Sequence, residues 1–326
     1  MRPSRVLVTG GAGFVGSHLC RELLHRGRDV TCFDVLDGGI VNPATLASLR
    51  SAALRSHADF TFVEGDVRDF DAVRRCVAGH EYVIHSAAVS SVDRSLQLPY
   101  QAVKVNVMGT LNVMAAAREF GVRRVHYVST DEVWGQIDRG SFTEHSPIQP
   151  RNPYAAGKVG GEAIAFAWGT SFGLDVTNTN ACYTYGPFQK PDKLVPLSVV
   201  RALRGERPQV YGDGQHVREW IHVEDHVAAV LRVFEDGQPG ERYPVGTGER
   251  LSNLDVIRLI LEQFGDGGDR LEHVADRVGH DRRYALDGAK LRALGWAPTR
   301  NFDKGLLETV EWYKYNAAWW RHFLPE

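Results

Sequence analysis

Ser129-Thr130-Asp131-Glu132 puts a hydroxyl and two neighbouring carboxyls in one segment. Tyr154-Ala-Ala-Gly-Lys158 puts a phenol and an ammonium one helical turn apart, on one face of a predicted helix. A nearby ammonium favours phenolate, and a phenolate can take the proton of an alcohol while that alcohol is oxidised. Eliminating water beside the resulting carbonyl then needs one further acid and one further base. Adjacent carboxyls oppose each other's ionisation, so one can stay protonated while the other serves as base. Ser129-x-x-Glu132 also fits a capping box at a helix start. Against that reading, Gly135 follows three residues later and leaves room only for a very short helix. If both carboxyls address one substrate they cannot lie in regular strand, which would point them to opposite faces, so a turn is required.

The elements that must position these groups alternate in type. Short β-branched runs at Val6–Thr9, Val30–Phe33, Phe60–Val63, Tyr82–His85 and Val125–Ser129 read as strands. Between them lie helical patterns at Phe14–His25, Ala72–Val77 and Val103–Phe120. Strands separated by helices imply parallel βαβ units, which makes the acidic pair follow the C-terminal end of a parallel strand, where open α/β sheets place ligands. Asn152-Pro153 should open another helix, with asparagine as N-cap and proline at the first position, running to about Ser171. Leu174–Thr179 reads as a further strand. After Asn180 prolines interrupt the pattern and elements shorten, until Phe302, Leu306, Val310 and Tyr313 recur at helical spacing. The expected fold is α/β: a Rossmann-like doubly wound parallel sheet over residues 1–179, to which some later segments return, and a smaller mixed α/β substrate domain over 180–326.

Val6-Leu7-Val8-Thr9 leads into Gly10-Gly11-Ala12-Gly13-Phe14-Val15-Gly16 and a helix. Strand, glycine turn and helix N-terminus are what pyrophosphate binding needs. Asp34 ends the second strand 18 residues after Gly16. Its carboxylate can accept hydrogen bonds from a ribose and would repel a 2′-phosphate, and Val35-Leu36 rather than a basic residue follow, so NAD is favoured over NADP. Asp66, ending the third strand, is a candidate adenine contact or a turn cap.

Composition excludes little and directs little. At 326 residues the chain has length for about two domains. Its 43% hydrophobic content suffices for a core, and a formal charge of −2 gives no reason to expect nucleic acid. Cys20, Cys32, Cys76 and Cys182 lack metal-ligand spacing and read as buried reduced thiols, and no metal is expected. No signal-peptide core or membrane-length apolar run is present, so a soluble cytoplasmic protein with no membrane partner is expected.

The chain resembles the extended short-chain dehydrogenases/reductases, and more closely the dTDP-glucose 4,6-dehydratases, over nearly its whole length. The resemblance rests on the glycine turn, on Ser90 to Ser95 (SSVDRS), Asn106 to Thr110 (NVMGT), Ser129 to Gly135 (STDEVWG) and Asn152 to Lys158 (NPYAAGK). It continues through Pro191 to Leu197, Tyr211 to His226 and Gly279 to Asp287 (GHDRRYALD). It implies an NAD-dependent nucleotide-sugar 4,6-dehydratase, with dTDP-glucose as the first candidate substrate. Thr130 would bind the sugar 4-hydroxyl and Tyr154 deprotonate it, with Lys158 supporting Tyr154. Glu132 would remove the C5 proton and Asp131 protonate the departing C6 hydroxyl. Expected NAD contacts are Gly10, Gly13, Phe14, Val15, Gly16, Asp34, Asp66, Val67, Ser86, Ala87, Ala88, Ser90, Tyr154 and Lys158. Expected nucleotide-sugar contacts are Ser90, Thr130, Tyr183, Lys193, Leu194, Gln209, Tyr211, Arg218, Arg277 and His280, with arginine suited to a diphosphate through forked hydrogen bonds.

Four positions depart from the family's pattern. Tyr183 and Thr184 stand where two asparagines usually precede Tyr-Gly-Pro, and Pro244 where a further substrate asparagine is expected. Trp134 replaces the usual tyrosine after Asp-Glu-Val. These bear on the substrate more than the reaction and leave a different nucleotide or a modified hexose open. The competing readings are a 4-epimerase or decarboxylase of the same superfamily, whose members usually lack the acidic pair, and a non-enzymatic NAD-sensing protein. Apolar positions beyond one core face on Val103–Phe120 and on the helix opened by Asn152-Pro153 match the family's four-helix dimer interface, so a homodimer is expected.

Overall fold

A computed structural model describes residues 4–35, 43–277 and 279–324. Leu36, read above as the second residue after Asp34, lies outside them. The strands in chain order are β1 (Arg5–Thr9), β2 (Asp29–Asp34), β3 (Phe60–Glu64), β4 (Tyr82–His85), β5 (Arg124–Thr130), β6 (Val176–Ala181), β7 (Tyr183–Tyr185), β8 (Gln209–Tyr211), β9 (Val217–His222), β10 (Arg242–Val245), β11 (Arg250–Ser252) and β12 (Glu272–Val274). Seven of them form one sheet in the order β10-β6-β5-β4-β1-β2-β3. The pairings β2–β3, β1–β2, β1–β4 and β4–β5 are parallel. The order reverses between β1 and β4, the switch point at which doubly wound sheets open a crevice for ligands. The fold class is the one expected.

The first seven helices are α1 (Phe14–His25), α2 (Pro43–Ser56), α3 (Phe70–Val77), α4 (Val92–Gln97), α5 (Pro99–Val103), α6 (Gly109–Glu119) and α7 (Pro153–Phe172). α3 starts two residues before the expected Ala72 because Asp69 caps it, accepting from the Ala72 N–H at 3.1 Å. The helix expected as one run over 103–120 is instead α5, a π-helical turn at Lys104–Met108, and α6. Within that turn the Asn106 amide clamps the loop after β4, accepting from Val89 N at 2.8 Å and donating to Val89 O at 3.2 Å. π-turns of this kind recur at functional sites. α7 opens as read: Pro153 is its first residue and Asn152 Oδ1 accepts from Ala155 N at 2.8 Å. It closes on Gly173 in the left-handed region, φ 71°, with the Gly173 N–H donated to Gly169 O. That cap delays the next strand, so β6 begins at Val176 rather than Leu174.

Two compact units divide the chain. The first holds 1–134, 147–180 and 227–243; the second holds 135–146, 181–226 and 244–326. The stretch 135–146 thus groups with the second unit, and 227–243 with the first. In the first unit Leu7, Val83, Val125 and Val176 of the sheet pack with Val113 and Met114 of α6. The second unit carries a three-stranded sheet β11-β9-β7, antiparallel between β11 and β9 and parallel between β7 and β9, and a parallel β12–β8 pair. Its core is aromatic: Tyr185, Trp220, Phe302, Tyr313, Trp319 and Trp320 cluster with Val199 and Ile260. Pro244 sits on β10, the sheet-edge strand, where a missing N–H costs no ladder bond. All four cysteines are free and buried. Among the described residues no helix is long and apolar enough to cross a membrane.

Candidate active site

The glycine turn has the shape the sequence requires. Gly10 has φ 66°, and a Cβ on it would lie 2.7 Å from the Ala87 backbone. A Cβ on Gly16 would lie 2.0 Å from Gly10 O. Only glycine lets β1, the start of α1 and the Ser86-Ala87-Ala88 segment approach this closely, and this is the cradle that a pyrophosphate needs. Asp34 ends β2 beside it, its Oδ2 accepting from Ala12 N at 2.9 Å and Oδ1 from Val35 N at 2.8 Å. Burial pushes the Asp34 carboxyl up to about 6, against those two N–H groups, which favour the ionised form. The residues present therefore fit a dinucleotide with a free ribose diol. Asp66 accepts from its own loop, at Arg68 N (2.8 Å), and pairs with the Arg68 guanidinium, which is the turn-capping geometry. Val67 beside it is buried, and its carbonyl accepts from Asn112 Nδ2 at 2.9 Å.

Behind the cradle lies a chain that the sequence did not disclose. Thr9 Oγ1 and His85 Nδ1 are 2.6 Å apart, His85 Nε2 and Thr110 Oγ1 3.0 Å, and the Thr110 hydroxyl donates to Asn106 O at 2.7 Å. His85 is fully buried, and burial followed by the charge of Lys158 pushes its imidazole down to about 3, so it is a neutral spacer.

Asp131-Glu132-Val133-Trp134 forms one short 3-10 turn directly after β5. Both carboxyls therefore leave the strand in a turn, as shared action on one substrate requires, and no capped α-helix follows. Thr130 Oγ1 ties the turn together, donating to Asp131 Oδ1 at 3.2 Å and accepting from Glu132 N at 3.3 Å. Thr130, Asp131 and Glu132 are all buried. Asn152, legible only as a helix cap, does more than cap, since its Nδ2 donates to Glu132 Oε2 at 2.8 Å. One side chain thus fixes the start of α7 and the Glu132 carboxylate together.

Tyr154 and Lys158 lie on the buried side of α7. The Tyr154 N–H donates to Ser95 Oγ at 3.2 Å, and Ser95 in turn donates to Val92 O at 2.7 Å, which ties the start of α7 to α4. Lys158 Nζ donates to Val128 O of β5 at 2.6 Å and lies 4.2 Å from the Tyr127 ring centroid. Burial lowers the ammonium to about 7, and the Glu162 carboxylate one turn further on works against that. Glu162 anchors the back of the site: its Oε1 accepts from Asn180 Nδ2 at 2.5 Å and its Oε2 from Arg242 Nε at 3.0 Å. Asn180 Nδ2 also donates to Thr130 O at 3.1 Å, immediately before the acidic turn. Asn180 and Glu162 escaped the sequence reading; the available signal was the polar run Thr177 to Asn180 inside a strand whose every residue is buried.

In the second unit Arg218 is almost fully buried on β9, donating to Val217 O at 2.9 Å and Asp281 O at 2.7 Å. Its guanidinium carbon is 5.2 Å from the Tyr183 ring and 4.6 Å from the Tyr284 ring, and those two rings stack at 5.8 Å. Tyr183 thus fills its position with an aromatic face over arginine. Thr184 is bound to His226, Oγ1 to Nδ1 2.9 Å. The Arg277 guanidinium lies 5.2 Å from the Tyr211 ring, and His280 meets that ring edge-on at 6.3 Å. Tyr183, Tyr211, Arg218, Arg277 and His280 therefore share one neighbourhood. Lys193 is the residue before the helix Leu194–Leu203, and Leu194 packs against the cluster containing Val210, the β8 residue between Gln209 and Tyr211. Ser90, exposed after β4, is in the first unit.

Residues 7–309 match the family model described as GDP-mannose 4,6 dehydratase. The chain is 43% identical to the dTDP-glucose 4,6-dehydratase of Streptomyces niveus, over 97% of this chain and 94% of that one. It is equally identical, 43%, to the low-salt glycan biosynthesis protein Agl12 of Haloferax volcanii, over 94% and 98%. The crystal structure of DesIV, a dTDP-glucose 4,6-dehydratase from Streptomyces venezuelae with NAD bound, superposes with a TM-score of 0.94 at 42% identity, covering 98% of this chain and all of that one.

Proposed function

We propose that this chain, which belongs to the nucleotide-sugar 4,6-dehydratase family of extended short-chain dehydrogenases/reductases, converts dTDP-glucose to dTDP-4-keto-6-deoxyglucose. It is an NAD-dependent hydro-lyase. The observation that carries the reading is the 3-10 turn that lets Asp131 and Glu132 leave β5 together. Bound NAD supplies the hydride acceptor for C4 and the hydride donor for C6. Tyr154 takes the C4 hydroxyl proton, which Thr130 helps to place. The nearby Lys158 charge favours the phenolate that this step needs. The new 4-ketone acidifies the C5 proton, and Glu132, oriented by Asn152, removes it. Asp131 donates a proton to the departing C6 hydroxyl, which leaves as water, and as C6 regains hydride, C5 takes a proton back from the Glu132 carboxyl, exchanged with solvent. Gly10, Gly13, Phe14, Val15 and Gly16 hold the pyrophosphate, and Asp34 the adenosine ribose. Lys193, Leu194, Gln209, Tyr211, Arg218, Arg277 and His280 hold the nucleotide and its diphosphate.

The relatives' own substrate supports dTDP over other nucleotides, while Tyr183, Thr184 and Pro244 are this chain's departures. A panel of dTDP-, UDP-, GDP- and CDP-hexoses, followed by product NMR in D2O, tests both points. Deuterium at C5 with a new C6 methyl is expected from dTDP-glucose. Much faster turnover of another nucleotide's hexose would overturn the substrate, and a C4 epimer without a methyl would overturn the reaction.

The enzyme acts as a homodimer. Leu98, Tyr100, Val103 and Met108, on and beside α5 and the π-turn, and Phe172 ending α7, are large apolar side chains left exposed, Tyr100 at 82%. A second copy pairing the same helices would cover them. Tyr100→Glu with Val103→Glu should give a monomer in light scattering; an unchanged mass would remove this face as the interface. Buried reduced cysteines support a cytoplasmic setting.

A further inference from the structure

His216 and His280 stack face to face, ring centroids 3.7 Å apart and planes 17° from parallel. They share one carboxylate: His280 Nδ1 is 2.8 Å from Asp276 Oδ1, and His216 Nε2 is 3.4 Å from Asp276 Oδ2. His216 is buried, and its Nδ1 has no hydrogen-bond partner. No role proposed above uses it.

Charges acting on the pair include Arg218, Arg277, Arg282, Asp213 and Asp276, and the buried Asp281 follows His280 directly in the chain. Arg282 and Asp213 satisfy each other through a forked pair, both bonds 2.7 Å. Arg218 and Arg277 place two guanidinium groups beside the rings, and both belong to the set proposed above to hold the diphosphate. The two imidazoles and Asp276 could in principle ligate a cation, since one ligand atom from each lies within 4.8 Å of the others. Guanidinium groups this close to the rings oppose a dication there and suit an anion.

We propose that His216 and His280 form a proton-loading pair, in which a nucleotide sugar's diphosphate, bound beside Arg218, Arg277 and His280, draws a proton onto the stack. The inference rests on the nucleotide-sugar reading above and adds His216 to it. In the ligand-free protein both rings are held neutral. Burial lowers His280 to about 4 against its bond to Asp276, with Arg218, His216 and Arg277 adding to the lowering. Burial also lowers His216, against Asp276 and with Arg218 and Arg282. Two stacked rings 3.7 Å apart resist taking two charges, so one proton shared over the pair and Asp276 is the stable loaded state. An arriving diphosphate adds negative charge beside the rings and so raises the pair's proton affinity. By reciprocity, protonation strengthens nucleotide binding by the same factor. Affinity therefore rises as pH falls, by at most about tenfold per pH unit for one proton.

The test is calorimetric titration of the NAD-loaded enzyme with dTDP-xylose. This ligand is a diphosphodiester with no phosphate that titrates near neutrality and no C6 hydroxyl to eliminate, and the absorbance of enzyme-bound NADH, followed alongside, shows whether its C4 hydroxyl is oxidised and contributes a proton. Run near pH 7 in two buffers of different ionisation enthalpy, the wild type should take up a measurable fraction of a proton per nucleotide bound. Its Kd should fall between pH 8.5 and pH 6. His216→Asn should bind with a Kd that varies several-fold less over that range and should take up less proton. His216→Gln repeats the comparison if the asparagine variant melts early. Binding with no proton uptake, or with uptake unchanged in both variants, overturns the inference and leaves the nucleotide reading intact. No binding of dTDP-xylose at any pH overturns both. Stoichiometric Zn2+ binding lost in His216→Asn, with no nucleotide-linked proton uptake, would make the cluster a cation site instead.

Discussion

The acidic turn after β5 and the aromatic cluster around Arg218 both keep ionisable groups under cover, by different physical means. In the first unit, Thr130, Asp131 and Glu132 are fixed by hydrogen bonds from immediate neighbours, from Asn152 and, through Thr130 O, from Asn180. Each bond prescribes an angle as well as a distance, so the arrangement tolerates little substitution. In the second unit, Arg218 is covered by the faces of Tyr183 and Tyr284, and its N–H groups go to backbone carbonyls. Aromatic faces are broad and accept a cation over a range of offsets, so residues there can be exchanged while arginine stays in place. The contrast matches where this chain departs from the family's pattern among these groups: at Tyr183, where packing covers the Arg218 charge, and not at Thr130, Asp131 or Glu132, where directed bonds hold the side chains.

The sharpest way to break that contrast is within the turn. Glu132→Gln keeps the shape and the Asn152 contact but removes the carboxylate proposed as base. Dehydration should fall by about 10²–10⁴-fold, the usual worth of a positioned general base. C4 oxidation should persist, so a single-turnover mixture should retain the near-ultraviolet absorbance of enzyme-bound NADH and release no 6-deoxy product. Full activity would remove Glu132 from the reaction. Asn152→Ala acts one step further out. It loses both the Glu132 contact and the α7 cap, so it should lower kcat by about tenfold and stability by about 1 kcal/mol. Asn152→Asp restores the cap alone. It should therefore recover the melting temperature without the rate, which separates the capping of α7 from the orientation of Glu132.

The parts of the fold and site that local pattern dictates were legible. β-branched runs, the glycine turn, Asp34 and the Asn152-Pro153 start all depend on residues close in sequence, and the structure places them within a residue or two of expectation. Tyr154 and Lys158 follow from helix periodicity alone. What stayed hidden depends on partners far apart in the chain. Asn180 reaches Glu162 18 residues away and Arg242 reaches Glu162 across 80, and neither spacing is periodic in anything. The π-turn at Lys104–Met108 was hidden for a related reason: one run of helix-favouring residues reads the same whether or not Asn106 must turn to the loop after β4. The stacking of His216 on His280 likewise brings together residues distant in the chain.

The smallest effect expected is at the packed region, and it decides whether the contrast holds. Tyr183→Asn restores the residue type the family's pattern calls for and removes one of the two rings beside Arg218. If packing by Tyr284 and the two backbone bonds suffices to hold the guanidinium, kcat should stay within about twofold and KM for dTDP-glucose should shift by only a few-fold, corresponding to about 1 kcal/mol or less for one cation–π contact. Tyr183→Phe preserves the ring face that Arg218 meets and should shift KM less than Tyr183→Asn does. A loss of kcat in Tyr183→Asn as large as that in Asn152→Ala would mean that the aromatic face positions the reacting sugar as strictly as the hydrogen-bonded turn does. The division between directed bonds at the chemistry and broad packing at the nucleotide would then be wrong for this chain.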